Sequence, residues 1–83
     1  MRQLIEALSE IKGQDVNIYT EHKIFGVQHL KVKFEPEIEV GFGFHYKEQV
    51  IYIGYDEIID YSIREEKIII NGDMMKISII KNN

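Results

Sequence analysis

Cysteine is absent from this 83-residue chain, and that one absence closes several routes. No disulfide scaffold, zinc ribbon or thiol nucleophile can be built, and such a sequence suits a reducing compartment. No apolar run approaches the roughly 20 residues that a membrane-spanning helix needs. Basic excess is missing too: 10 Lys and Arg stand against 14 Asp and Glu, a net charge of −4. Phosphate-binding proteins gain much of their affinity by releasing counterions, so this balance opposes general nucleic-acid binding. The first stretch carries Glu6 and Glu10 within its apolar pattern, which no signal peptide does. A cytoplasmic protein is expected, with no membrane partner. The cations are mostly lysine and the apolar residues heavily isoleucine, a bias that suits an AT-rich genome such as a low-GC bacterium or its phage.

What remains is ordinary globular composition, 45% hydrophobic and 29% charged, enough for one small domain spanning residues 1–83. Leu4, Ile5, Leu8 and Ile11 recur at helical spacing, predicting a helix over residues 2–12 that lies on the β-core, with Gly13 placed for a left-handed cap. Residues 15–80 then read as strands. Val16 and Ile18 point inward, and a turn through His22 and Lys23 follows. Leu30, Val32, Phe34, Ile38, Val40, Phe42 and Phe44 alternate with polar residues or glycine across Glu35-Pro36-Glu37. A period of two with a proline turn predicts a hairpin over residues 27–45, pairing Phe34 with Ile38 and Lys33 with Glu39. Residues 49–55 are apolar on both parities, Val50 and Tyr52 against Ile51, Ile53 and Tyr55. Such a strand is covered on both faces or meets a partner. Further strands follow over Ile59 to Ile63, Lys67 to Ile70 and Met74 to Ile80, with Asn71-Gly72 as a hairpin turn. Asn82 and Asn83 should fray.

The expected fold is mainly β (α+β): an N-terminal helix, then a small antiparallel barrel or strongly bent sheet of about six or seven strands, which manages its edges by closing. The element order resembles the Sm-like fold, which includes the bacterial Sm-like RNA chaperones. The resemblance lies in Leu4 to Ile11, Val16-Asn17-Ile18-Tyr19, Ile24-Phe25-Gly26 and Ile53-Gly54-Tyr55-Asp56-Glu57-Ile58. It covers residues 4–63 as a pattern and implies a helix-capped barrel. Residues 67–80 are then an added hairpin, or Ile70-Asn71-Gly72-Asp73 stands for the family's Ile-Arg-Gly element. Glu35-Pro36-Glu37 replaces an aspartate turn of the family, and Asp56 and Glu57 replace its basic residues, so RNA contacts do not carry over. A pleckstrin-like sheet or another SH3-like barrel accounts for the strands as well.

No catalytic constellation emerges. Ser9, Ser62, Ser78 and Thr20 lie in no nucleophile motif, and Asp56, Glu57 and Asp60 read as a solvated turn. Gly41-Phe42-Gly43-Phe44 lacks the third glycine and the helix of a phosphate loop. In the expected hairpin His29 faces Gly43, Lys31 faces Gly41, and His45 is a diagonal neighbour of His29. Two histidines beside a lysine make no zinc site, and neither metal nor cofactor is expected. Bare glycines at outward positions mark a bend or a close approach.

The expected function is therefore a non-enzymatic binding domain acting by protein–protein contact and self-associating through a strand edge or through Ile51, Ile53 and Tyr55 on the second face of residues 49–55. A monomer is the competitor, with Ile68, Ile70, Met75, Ile77 and Ile79 absorbing that apolar surface. The second expectation is a binder of nucleic acid or a small nucleotide through Tyr19, His29, Lys31, Gly41, Gly43 and His45. An inhibitor of a host system encoded by a phage is a special case of either.

Overall fold

Helix α1 (Arg2–Glu10) opens the chain, followed by β1 (Asp15–His22), β2 (Gly26–Lys33), β3 (Gly41–Tyr46), β4 (Gln49–Gly54), β5 (Ile58–Ile63), β6 (Lys67–Gly72) and β7 (Met75–Lys81). This computed structural model describes residues 1–81, apart from the Tyr46 side chain; Asn82 and Asn83, expected to fray, lie outside the described residues. The protein is mainly β with one N-terminal helix, as its alternation predicts. It is not a closed barrel. Five strands form one antiparallel sheet in the order β2-β1-β7-β6-β5, and β3 and β4 form a separate two-stranded ribbon.

One cluster of side chains joins the three layers. The sheet turns Val16, Ile18, Leu30, Ile68, Ile70, Ile77 and Ile79 to one face, all buried. The ribbon adds Phe42, Phe44, Ile51 and Ile53, and the helical segment adds Leu4, Ala7, Leu8 and Ile11. Each fully buried isoleucine or leucine stabilises the fold by roughly 1.5–3 kcal/mol relative to exposure. Ile5 is only half-buried, and Ala7 takes its place in the stripe. The helix stops at Glu10, two residues before the expected end, and Gly13 at φ 87° turns the chain into β1 while donating its N–H to the Phe34 carbonyl at 2.7 Å. Only glycine adopts that φ without strain.

The expected hairpin over residues 27–45 does not form. β2 pairs with β1, placing Lys33 opposite Asp15, Lys31 opposite Asn17 and His29 opposite Tyr19. β3 pairs with β4, placing Gly43 opposite Tyr52. The reason lies in residues 34–40. Phe34 leaves the β2 line to pack against Phe42 and Phe44, with ring centroids 5.6 and 6.5 Å away. Pro36 is buried and has no N–H to offer a ladder. Glu37 then exchanges both backbone hydrogen bonds with Gly43, at 2.7 and 2.9 Å. The chain therefore folds back on β3 instead of running along β2, and Val40 is exposed rather than inward.

The second hairpin signal is displaced by two residues. Asn71 and Gly72 end β6, and Asp73-Met74 form the turn. Gly72 is kept bare by packing: a Cβ there would collide with the Ile53 side chain across the layer interface.

Candidate binding surfaces

The six residues predicted to share one face fall into two groups. Tyr19, His29 and Lys31 do come together, on the outer face of β1 and β2. Tyr19 and His29 are cross-strand partners whose rings stack at 4.3 Å with planes 2° apart. The His29 Nε2 lies 3.1 Å from the Asn17 Oδ1, which accepts its proton and holds the ring in that plane. Lys31 extends the same row and is exposed. Gly41, Gly43 and His45 sit instead on the ribbon, opposite Gly54, Tyr52 and Val50. His29 and His45 thus belong to different sheets, and the diagonal pair of histidines does not exist.

The two ribbon glycines have an internal explanation. The Tyr52 ring lies over them: a Cβ on Gly43 would meet its Cδ2 at 2.8 Å, and one on Gly41 would overlap its hydroxyl end and meet the Ile53 carbonyl at 2.7 Å. An aromatic ring covering a strand glycine replaces the packing the glycine lacks. The close approach comes from this chain itself.

The expected association face is also corrected. Ile51 and Ile53 are buried in the core, so they cannot meet a second molecule. The inner isoleucines of β6 and β7 absorb them, as the competing arrangement required. Tyr55 is half-buried, and its hydroxyl donates to the Ile38 carbonyl. Burial, and then the neighbouring Tyr52, push that hydroxyl above the ordinary tyrosine range. The acidic residues after it serve the backbone and a ladder: the Glu57 Oε1 accepts the Gly54 N–H at 3.0 Å, and the Asp60 Oδ1 accepts from the Asn71 Nδ2 at 2.5 Å. Among the described residues no three His, Asp or Glu side chains gather as a metal site would require.

The surface that strand periodicity missed is the pole where the β1–β2 and β6–β7 turns meet, beside the start of β4. Phe25 is 79% exposed, Ile24 and Val27 71%, and Val50 and Met74 are exposed beside them. This apolar tip is built, not frayed. The His22 Nδ1 accepts the N–H groups of Ile24 at 3.1 Å and Phe25 at 3.3 Å. The His22 and Phe25 rings lie 4.7 Å apart, and Gly26 at φ 80° closes the turn. Lys23 donates its N–H to the Met74 carbonyl at 2.9 Å, tying this tip to the β6–β7 turn. Phe25 borders a groove of about 640 Å³ shared by Thr20, Gln28 and Met75 of the sheet and Gln49, Val50 and Tyr52 of the ribbon. A second groove of about 390 Å³ lies along Lys23, Val27 and Met74. The signal was present in the sequence: turns favour Gly, Asn, Asp and Ser, and two large apolar residues at 24 and 25 break that rule.

Compared with known proteins, the chain matches no family model, no curated protein and no solved structure.

Proposed function

We propose that this protein is a small non-enzymatic binding domain that acts by protein–protein contact, and that its apolar pole is the contact. The carrying observation is Phe25, a large side chain held out in water by a hydrogen-bonded turn, at 79% exposure. Exposing grouped apolar side chains costs solubility and has a use when a partner covers them. Aromatic anchors in desolvated pockets dominate contact energies.

The occupant proposed is a second copy of this chain. A projecting ring and a groove lie side by side on the same pole, which is the self-complementarity a two-fold interface needs. Each Phe25 then enters the groove bordered by Gln28, Val50 and Met75 of the other copy. Sedimentation equilibrium at high micromolar concentration tests this. The wild type should give twice the chain mass of 9.8 kDa, and Phe25→Asp should give 9.8 kDa with an unchanged melting temperature. A wild-type mass of 9.8 kDa overturns the self-association. A dimer that Phe25→Asp leaves intact moves the contact elsewhere.

A further inference from the structure

A second surface, which adjoins the pole at Val27, follows from the way the larger sheet ends. Among the described residues β2 is an edge strand whose one ladder partner is β1. The phase of that ladder can be read from one hydrogen bond beyond it: Phe34 donates its N–H to the Gln14 carbonyl at 2.8 Å. Bonded pairs alternate along an antiparallel ladder, so the even residues of β2 bond to β1. The odd residues Val27, His29, Lys31 and Lys33 therefore aim their N–H and C=O groups at the open edge. The other side of β1 agrees, since Lys23 bonds to Met74 in the register that joins odd residues of β1 to β7.

That edge has two chemically different sides. On the outer face, His29, Lys31 and Lys33 stand in a row, and among the described residues neither lysine has an ion pair. On the inner face, Leu30 is buried, Val32 half-buried, and Gln28 opens on the groove at the pole. We propose that the β2 edge takes an extended peptide segment of a partner protein as an added strand, one that alternates acidic with apolar residues. Main-chain hydrogen bonds at residues 27, 29, 31 and 33 would hold it, as in other strand-addition complexes. Its acidic side chains meet the cationic row, and its apolar ones turn toward Leu30 and Val32. A second copy of β2 is the wrong occupant. Antiparallel pairing about Leu30 sets Lys31 opposite His29 and Lys33 opposite Val27, so four lysines are brought onto one face with no carboxylate opposite any of them.

The test uses the full chain and two fluorescein-labelled octapeptides, alternating Glu-Val and alternating Lys-Val, followed by fluorescence anisotropy. The acidic peptide should bind and the basic one should not. Lys31→Glu with Lys33→Glu should weaken the acidic peptide at least tenfold, and 0.5 M salt should weaken it in the wild type. Lys31→Pro set against Lys31→Ala separates strand addition from simple charge attraction, since both lose the charge and only proline loses the N–H. That N–H faces the open edge, where proline is tolerated, so the fold should survive while binding falls tenfold below that of Lys31→Ala. If Lys31→Pro lowers the melting temperature by more than about 10 °C, N-methylation of alternate peptide amides replaces it. One methylation phase should then abolish binding to the wild type and the other should not. The proposal is overturned if the acidic peptide fails to bind, if both peptides bind alike, or if neither proline nor either methylation phase matters. It is overturned too if oligothymidine binds through Lys31 and the acidic peptide does not, which assigns the row to nucleic acid. The Lys31→Glu, Lys33→Glu variant should keep the wild-type sedimentation mass, so failure of the edge and failure of the pole are read separately.

Discussion

Tyr52 shows how one side chain decides what its neighbours can be. Its ring occupies the space above Gly43, so Gly43→Ala forces the ring or the strand to move and should cost about 1–3 kcal/mol. With Tyr52→Ala already in place, the contact at 2.8 Å is gone and the same alanine keeps only those with the Ile51 carbonyl at 3.3 Å and the Cβ of residue 52 at 3.6 Å, so the two costs should fail to add by at least ~0.5 kcal/mol in a urea-unfolding cycle. Additive costs would remove Tyr52 as the reason for that glycine. Tyr55 gives a pH dependence instead. Its folded-state pKa is raised by burial and then by Tyr52, so folding favours the neutral phenol that donates to Ile38. That contribution is complete below the unfolded tyrosine value of about 10 and is lost as pH rises through the folded value. Melting temperature should therefore fall more steeply above about pH 10 in the wild type than in Tyr55→Phe. At neutral pH the phenylalanine variant should be less stable by ~1 kcal/mol for the lost hydrogen bond. Parallel alkaline profiles would show that the Tyr55 hydroxyl does not couple to folding.

At the scale of elements, α1 is held by its buried stripe and not by its caps. No side chain caps its N-terminus, while Leu4 and Leu8 are fully buried. Leu8→Ala should cost about 2–5 kcal/mol, measured by urea unfolding. A loss under ~0.5 kcal/mol would mean that the helix packs loosely on the sheet. The helix was legible because its periodicity is a property of neighbouring residues. So were the strands, their number and most of their inward faces, since alternation is equally local. Pairing was not. A period of two states which face a residue occupies and says nothing of which strand lies beside it, and Glu35-Pro36-Glu37 looked like a turn between two strands that never meet. The glycines of β3 and Gly72 pointed to close approaches whose other halves, Tyr52 and Ile53, lie elsewhere in the chain. Half of the outer site was legible, because Tyr19, His29 and Lys31 share the outward parity of two strands that do pair. Gly41, Gly43 and His45 were joined to it only through the hairpin that does not form.

The whole molecule is a next-neighbour meander whose ends meet through β1 and β7 but whose ring is interrupted twice, between β2 and β3 and between β4 and β5. Each interruption leaves two edges, one on the larger sheet and one on the ribbon. On β5 the edge is blunted by a bulge at Ile59 and by the N-terminus, whose ammonium group lies 3.3 Å from the Tyr61 hydroxyl. On β2 it is guarded only by lysines, which deter a second copy and leave the backbone open. Native-state hydrogen exchange can read this difference residue by residue. In β1 and β7, bonded on both sides, consecutive amides should be protected alike. In β2 protection should alternate: Gln28, Leu30 and Val32 donate to β1 and should exchange slowly, while Val27, His29, Lys31 and Lys33 should exchange at least tenfold faster. Uniformly slow exchange along β2 in dilute protein would show that its edge is covered, with β3 or another segment closing the ring in solution. Alternation in dilute protein that disappears when the acidic peptide is added, with only the odd amides slowed, would place the peptide's backbone along that edge.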